Sequence, residues 1–66
     1  MNGFERRREL KKTNILEAAL TLFVKYGVQK VSVAEIAKEA NVSQVTIYNY
    51  FQSKDNLVSE VIIYYV

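Results

Sequence analysis

Side chains that can recognise another molecule are concentrated in residues 44–50, whose sequence is QVTIYNY. Gln44 carries an amide that can pair with adenine through two hydrogen bonds, and the Thr46 hydroxyl can reach a base or a phosphate. When such groups are exposed on a helix that its neighbours hold rigidly, they can contact the major groove of double-stranded DNA. Taken by themselves, however, Gln44, Val45 and Thr46 are explained more simply as the ordinary polar first turn of a helix.

Composition excludes several kinds of chemistry. The 66 residues include no Cys and no His, so disulfides, zinc fingers, thiol nucleophiles and imidazole acid–base catalysis are not available. A Gly-rich phosphate loop is also missing, and the sequence therefore indicates neither an enzyme nor a cofactor or metal site. No apolar run approaches the roughly 18 residues that span a bilayer, so we expect a cytoplasmic protein without membrane contact. The absence of Pro and the presence of only two Gly favour an all-α domain.

The first helix is predicted to begin near Glu5 and to cover residues 14–26. Gly27 should end it, because glycine readily adopts the left-handed conformation that closes a helix. Apolar residues recur with helical spacing along its inward face, at Ile15, Ala19, Leu22, Phe23 and Tyr26. Leu16 and Leu20 widen this apolar face.

Two short helices are predicted next, joined by a tight turn. Ser32 and Glu35 form a capping box at the start of a helix over about 33–40. The inward residues of this helix are Val33, Ile36, Ala37 and Ala40. Asn41, which tolerates positive φ, begins the turn, and Val42 packs beneath it. Ser43 then caps a helix over roughly 44–51 that points Ile47 and Phe51 inward.

A fourth helix is predicted to start at Lys54, with Ser53 as its cap. Its apolar positions are Leu57, Val58, Val61, Ile62 and Tyr65. The last six residues, VIIYYV, are apolar on every side of a helix. We therefore expect the helix to continue into something that covers it, the present chain being truncated there.

These segments resemble the tetracycline-repressor (TetR) family of bacterial transcriptional regulators. The matching stretches are ILEAALTLFVKYG at 15–27, EIAKEANVS at 35–43, TIYNYF at 46–51 and SKDNL at 53–57. The resemblance implies a three-helix homeodomain-like bundle in residues 1–53, with a helix-turn-helix in its second and third helices. It also implies that residues 54–66 begin a fourth, connecting helix that leads to an absent ligand-binding and dimerisation domain.

Two residues depart from the family pattern. Asn41 stands in the turn where the family usually has Gly, and Val45 stands where it usually has Gly, Ala or Pro. The first change is tolerable because Asn accepts positive φ. The second can alter which base is favoured, since a branched apolar side chain can contact a thymine methyl group.

The resemblance implies sequence-specific binding of double-stranded DNA by a homodimeric repressor. A near-palindromic operator and release by a small-molecule inducer belong to that expectation. Gln44, Val45 and Thr46 are expected to contact bases. Tyr50, Lys54 and Ser43 are expected to contact phosphates. Tyr48 is expected to contact a phosphate or a base edge, and Asn49 a base or a phosphate. Ser32, by contrast, is expected mainly to cap its helix.

Charge is unevenly distributed along the chain. Residues 1–25 carry six basic and three acidic side chains, which points weakly to a polyanionic partner. Arg6, Arg7 and Arg8 can reach into a minor groove or remain solvated. A rival interpretation is a small helical protein-interaction module that docks through its apolar C-terminal helix without DNA.

Overall fold

The computed structural model describes the backbone of residues 3–66 and the side chains of residues 10–66. Across residues 3–66 helix α1 spans Gly3–Tyr26, a 3-10 turn spans Val28–Lys30, α2 spans Val33–Ala40, α3 spans Gln44–Phe51 and α4 spans Lys54–Tyr65. The all-α class and the four predicted helices are confirmed, whereas the 3-10 turn was not predicted. In the described part of the chain, no helix is long and apolar enough to cross a membrane. The side chains of Arg6, Arg7 and Arg8 lie outside the described residues.

Gly27 ends α1 through an unusual backbone conformation. Its amide donates to the Phe23 carbonyl at 2.8 Å, and its φ and ψ are 92° and 145°. The positive φ was expected, but this ψ is extended rather than left-handed helical. Glycine reaches that region easily because it has no Cβ. The chain then enters the 3-10 turn, after which Val31 is extended and buried.

The turn between α2 and α3 closes as a Schellman motif. Asn41 adopts the left-handed conformation, with φ 59° and ψ 45°. Its amide donates to the Lys38 carbonyl at 3.2 Å, and the Val42 amide donates to the Ala37 carbonyl at 2.9 Å. Val42 packs against the core, as predicted. The turn therefore satisfies carbonyls at the end of α2 without glycine.

Serine caps the N-termini of α2, α3 and α4, as the sequence predicted. The hydroxyl oxygen of Ser32 accepts from the Glu35 amide at 3.2 Å, and the Ser32 amide donates back to the Glu35 carboxylate at 3.3 Å. Ser43 and Ser53 each accept one amide hydrogen bond at 3.1 Å. These bonds fix the three helix starts to particular residues.

The core lies where α1 packs against α2 and α4, while α3 packs against α2 and α4 in turn. Predicted inward residues of all four helices are buried: Ile15, Leu16, Ala19, Leu22, Phe23, Val33, Ile36, Ala37, Ala40, Ile47, Phe51, Leu57 and Val61. Ala18 and Val31 are buried as well, although neither was predicted.

Three predicted core residues are exposed instead. Tyr26 is 50% exposed, because it is the last residue of α1 and the chain turns away at Gly27. Ile62 and Tyr65 are 56% and 42% exposed. The buried residues of α4 are Leu57 and Val61, so its last turn extends past the core formed by the described residues.

Polar contacts join elements that are distant in sequence. The Lys12 ammonium pairs with the Glu60 carboxylate at 2.9 Å, linking α1 to α4. The Asn14 side-chain amide donates to the Ala40 carbonyl at 3.0 Å, which links α1 to the last residue of α2. The first bond therefore joins the two helices on either side of α2 and α3 in the chain, and the second joins α1 to the end of α2 beside the turn.

Candidate nucleic-acid interface

Helix α3 has one buried side and one open side. Ile47 and Phe51, one turn apart, are each 1% exposed and face the core. At about 100° per residue, Val45 and Asn49 lie on the opposite side of the helix. Val45 is 67% exposed, and Gln44 and Asn49 are exposed too. The helix is thus held by one face and presents amide and apolar groups on the other.

The first turn of α3 contains a small hydrogen-bonded pair. Ser43 accepts from the Thr46 amide, and the hydroxyl oxygens of Ser43 and Thr46 lie 3.0 Å apart. Thr46 is half-buried, unlike Gln44 and Val45 beside it. Both hydroxyls therefore have a partner within the protein, and contact with a base or phosphate would have to share or replace that bond.

Tyr48 and Tyr50 lie on the two flanks of the open side. Each is about 80° around the helix from the middle of the buried side, in opposite directions. Tyr48 is 46% exposed, whereas Tyr50 is half-buried and its ring lies 6.3 Å from that of Phe51. A helix seated in a groove would turn these two tyrosines toward the groove's two walls.

Lys54 has a contact that the sequence did not suggest. Its ammonium donates to the Val28 carbonyl at 2.9 Å, and the side chain is half-buried. This bond joins the first residue of α4 to the 3-10 turn that precedes α2. An ammonium has three N–H donors, so one such bond leaves capacity for a phosphate oxygen.

Ser32 has its hydroxyl committed within the capping box. The hydroxyl donates to the Glu35 carboxylate at 3.1 Å while its oxygen accepts from the Glu35 amide. The same carboxylate places a negative charge beside the start of α2. A capping role, the expected one, accounts for both bonds.

The open side of α3 is uncharged. None of residues 44–51 is Asp, Glu, Lys, Arg or His. Positive charge adjoining the helix in sequence comes from Lys54, at the start of the following helix. In the described part of the chain, no group of three or more acidic, Cys or His side chains is placed to hold a metal ion.

Three features of this region have weak signals or none in the sequence. The Lys54–Val28 and Asn14–Ala40 bonds each join residues 26 positions apart, and nothing in local pattern predicts them. Gln52, between α3 and α4, has a positive φ of 68° with ψ −33°. Glycine or asparagine would have signalled such a conformation, but glutamine does not.

A rigidly capped helix, exposed on one side and crossing a supporting helix after a tight turn, defines the helix-turn-helix class. Residues 15–61 match the family described as bacterial regulatory proteins, tetR family. The chain belongs to this family of helix-turn-helix transcriptional regulators.

Several curated proteins are similar to the chain. The uncharacterized HTH-type transcriptional regulator YuxN of Bacillus subtilis is 45% identical over 51 residues, which is 77% of this chain and 18% of YuxN. The HTH-type transcriptional regulator AcrR of Shigella flexneri is 46% identical over 48 residues, 73% of this chain and 22% of AcrR. The HTH-type transcriptional repressor KstR2 of Rhodococcus jostii is 33% identical over 52 residues, 79% of this chain and 26% of KstR2. The chain thus spans about a fifth to a quarter of these relatives, and no solved structure matches it significantly.

Proposed function

We propose that the chain binds double-stranded DNA by placing α3 in the major groove. Gln44, Val45 and Thr46 read base edges, and Asn49 adds a base or phosphate contact. Tyr48, on one flank, contacts a phosphate or a base edge. Phosphate contacts from Tyr50, Lys54 and Ser43 set the position of the helix along the duplex.

The open, uncharged side of α3 is the observation that carries this proposal. Its groups cannot serve the core, because Ile47 and Phe51 already occupy the inward positions. The Ser43 cap and the contacts of α3 with α2 and α4 fix the direction in which the open side points. A rigidly aimed set of amides and hydroxyls is what base recognition requires.

The full regulator has further properties in this proposal. Residues 1–53 form the DNA-binding domain, and residues 54–66 begin a helix leading to a domain that binds a small-molecule inducer and dimerises. Two DNA-binding domains then meet half-sites about 34–36 Å apart on a near-palindromic operator. The protein acts as a cytoplasmic repressor that the inducer releases from DNA. The printed description of KstR2 as a repressor and the greater length of the relatives support this part.

A second candidate function rests on the end of α4. Ile62, Ile63, Tyr64 and Tyr65 are exposed, although such residues usually pack against something. A helical module that docks on a protein through this face would account for them without DNA. It would leave the open side of α3 without a role.

Selection of duplexes from a random library at low salt tests the proposal. A folded, helical chain should retain duplexes, and the Tyr48→Phe variant should bind them more weakly because it loses one hydroxyl. Tyr26→Phe is the matched control, since Tyr26 is 50% exposed against 46% for Tyr48 but lies at the end of α1. Retention of no duplex by the folded chain would refute DNA binding and favour the protein-interaction module.

A further inference from the structure

The exposed side chains of α3 restrict which base pairs this helix can recognise, an inference that rests on the proposed function. Guanine is most often recognised by two hydrogen bonds from Arg or Lys, and cytosine by Asp or Glu accepting from its amino group. None of these residue types occurs in residues 44–51. The helix therefore lacks the usual groups for reading a G·C pair from the major groove.

The exposed side chains that remain on α3 favour adenine and thymine. The Asn49 amide, on the open side, and the Gln44 amide, at the exposed start of the first turn, make no side-chain hydrogen bond in the structure, and side-chain amides pair with adenine through its N6 and N7 atoms. Val45 is 67% exposed and carries only methyl groups, which suit the thymine 5-methyl group. Thr46 can read any base, but its hydroxyl already lies 3.0 Å from that of Ser43.

The placement of these side chains allows them to act together on a short sequence. Val45 and Asn49 lie on the same side of α3, four residues apart, which is about 6 Å along the helix axis. Successive base pairs are about 3.4 Å apart, so the two residues can reach pairs that are neighbours or next neighbours. Gln44 precedes Val45 in the first turn, the part of a recognition helix that contacts base edges.

From this arrangement we infer that the base pairs contacted by Gln44, Val45 and Asn49 in the half-site are A·T pairs. The Gln44 and Asn49 amides bind adenines, and the Val45 methyl groups contact a thymine methyl group. Specificity then comes from adenine hydrogen-bonding edges and one methyl contact rather than from charged side chains. Phosphate contacts outside the open side of α3 contribute affinity but not base preference.

The first test is the base composition of selected duplexes. The consensus should contain A·T pairs at the positions where Gln44→Met or Asn49→Leu changes the preference. Each of these variants keeps the bulk of the side chain but removes the amide, and should reduce discrimination at one position by about 5- to 150-fold. Gln29→Met, which changes an exposed glutamine outside α3, should leave the consensus unchanged.

The second test isolates the methyl contact. Replacing thymine by uracil at one position removes only the 5-methyl group and should weaken binding of the unaltered chain about fourfold. The Val45→Ala variant, which keeps only one methyl group close to the helix backbone, should show a smaller difference between the thymine and uracil duplexes. Val24→Ala, at a 79% exposed valine on α1, should keep the fourfold difference.

The possible failures are distinguishable. A consensus of G·C pairs at the positions altered by Gln44→Met or Asn49→Leu would overturn the inference while leaving DNA binding intact. Equal binding of thymine and uracil duplexes at every position would overturn the Val45 contact. Retention of no duplex by the folded chain would overturn the proposed function and this inference with it.

Discussion

Replacement of Lys54 by Met should have two separate effects, because the structure gives its ammonium one partner and the proposed function gives it another. The ammonium donates to the Val28 carbonyl at 2.9 Å from a half-buried position. Loss of a hydrogen bond at a partly solvated site should cost about 1 kcal/mol of unfolding free energy. For a domain of this size, that corresponds to a melting temperature lower by about 4–8 °C. Loss of one phosphate contact should also reduce the slope of log affinity against log salt by about 0.9.

The two effects call for two assays on the same variant. Thermal unfolding followed by circular dichroism measures the melting temperature. Duplex binding between 50 and 200 mM salt measures the salt slope, because phosphate contacts have large effects on affinity in this range. Lys38→Met is the matched control, since Lys38 is an exposed lysine on α2. A lower melting temperature with an unchanged salt slope would show that Lys54 has only a structural role. An unchanged melting temperature would refute the stabilising role assigned to the Val28 bond.

Three further substitutions test the fold that holds α3, each by thermal unfolding. Gly27→Ala should lower the free energy of unfolding by about 1–3 kcal/mol, because alanine is strained at a φ of 92°. The cost comes from the backbone alone, since no atom lies within 4 Å of an added Cβ, and unchanged stability would contradict this strain. Asn41→Gly should change the unfolding free energy by less than about 1 kcal/mol, because glycine also adopts a φ of 59°. Asn41→Val should lower it by about 1–2 kcal/mol, because valine is strained at this φ, and equal stability of the two variants would contradict this. Ile47→Ala should lower the free energy of unfolding by about 2–5 kcal/mol and leave much of the chain unfolded, because Ile47 is buried. Val45→Ala, on the open side, should not have this effect, and similar losses for both variants would refute the assigned orientation of α3.

The helix boundaries could be predicted because their determinants are local. Each of Ser32, Ser43 and Ser53 accepts an amide three residues later, and such a cap depends only on the residue type and its near neighbours. The buried sides of α2 and α3 follow from helical periodicity in the same way. Asn41 could be placed at the turn because few other residues adopt a left-handed conformation without glycine's freedom.

Features that depend on contacts between distant residues could not be predicted in this way. Tyr26 and Ile62 continue the apolar periodicity of their helices, but burial also requires a neighbouring element opposite them. The bond from Lys54 to Val28 depends on how the 3-10 turn folds back toward α4. Asn14 reads as an ordinary helix residue, and only the packing of α1 against α2 brings it to the Ala40 carbonyl. The helices that carry the candidate residues were therefore predictable, whereas the hydrogen bonds between residues distant in sequence were not.

The separation between an uncharged α3 and charged neighbouring residues leads to an expectation about DNA affinity. The electrostatic part of binding comes from cations that release counterions at phosphates, and α3 has none of these. In the proposed mode of binding, base preference comes from groups on α3 that bear no charge and so release no counterions. Lys54→Met should consequently change the salt slope without changing the consensus, and Gln44→Met should change the consensus without changing the slope. A single substitution that altered both the salt slope and the consensus would mean that affinity and specificity share a contact, contrary to the proposed arrangement.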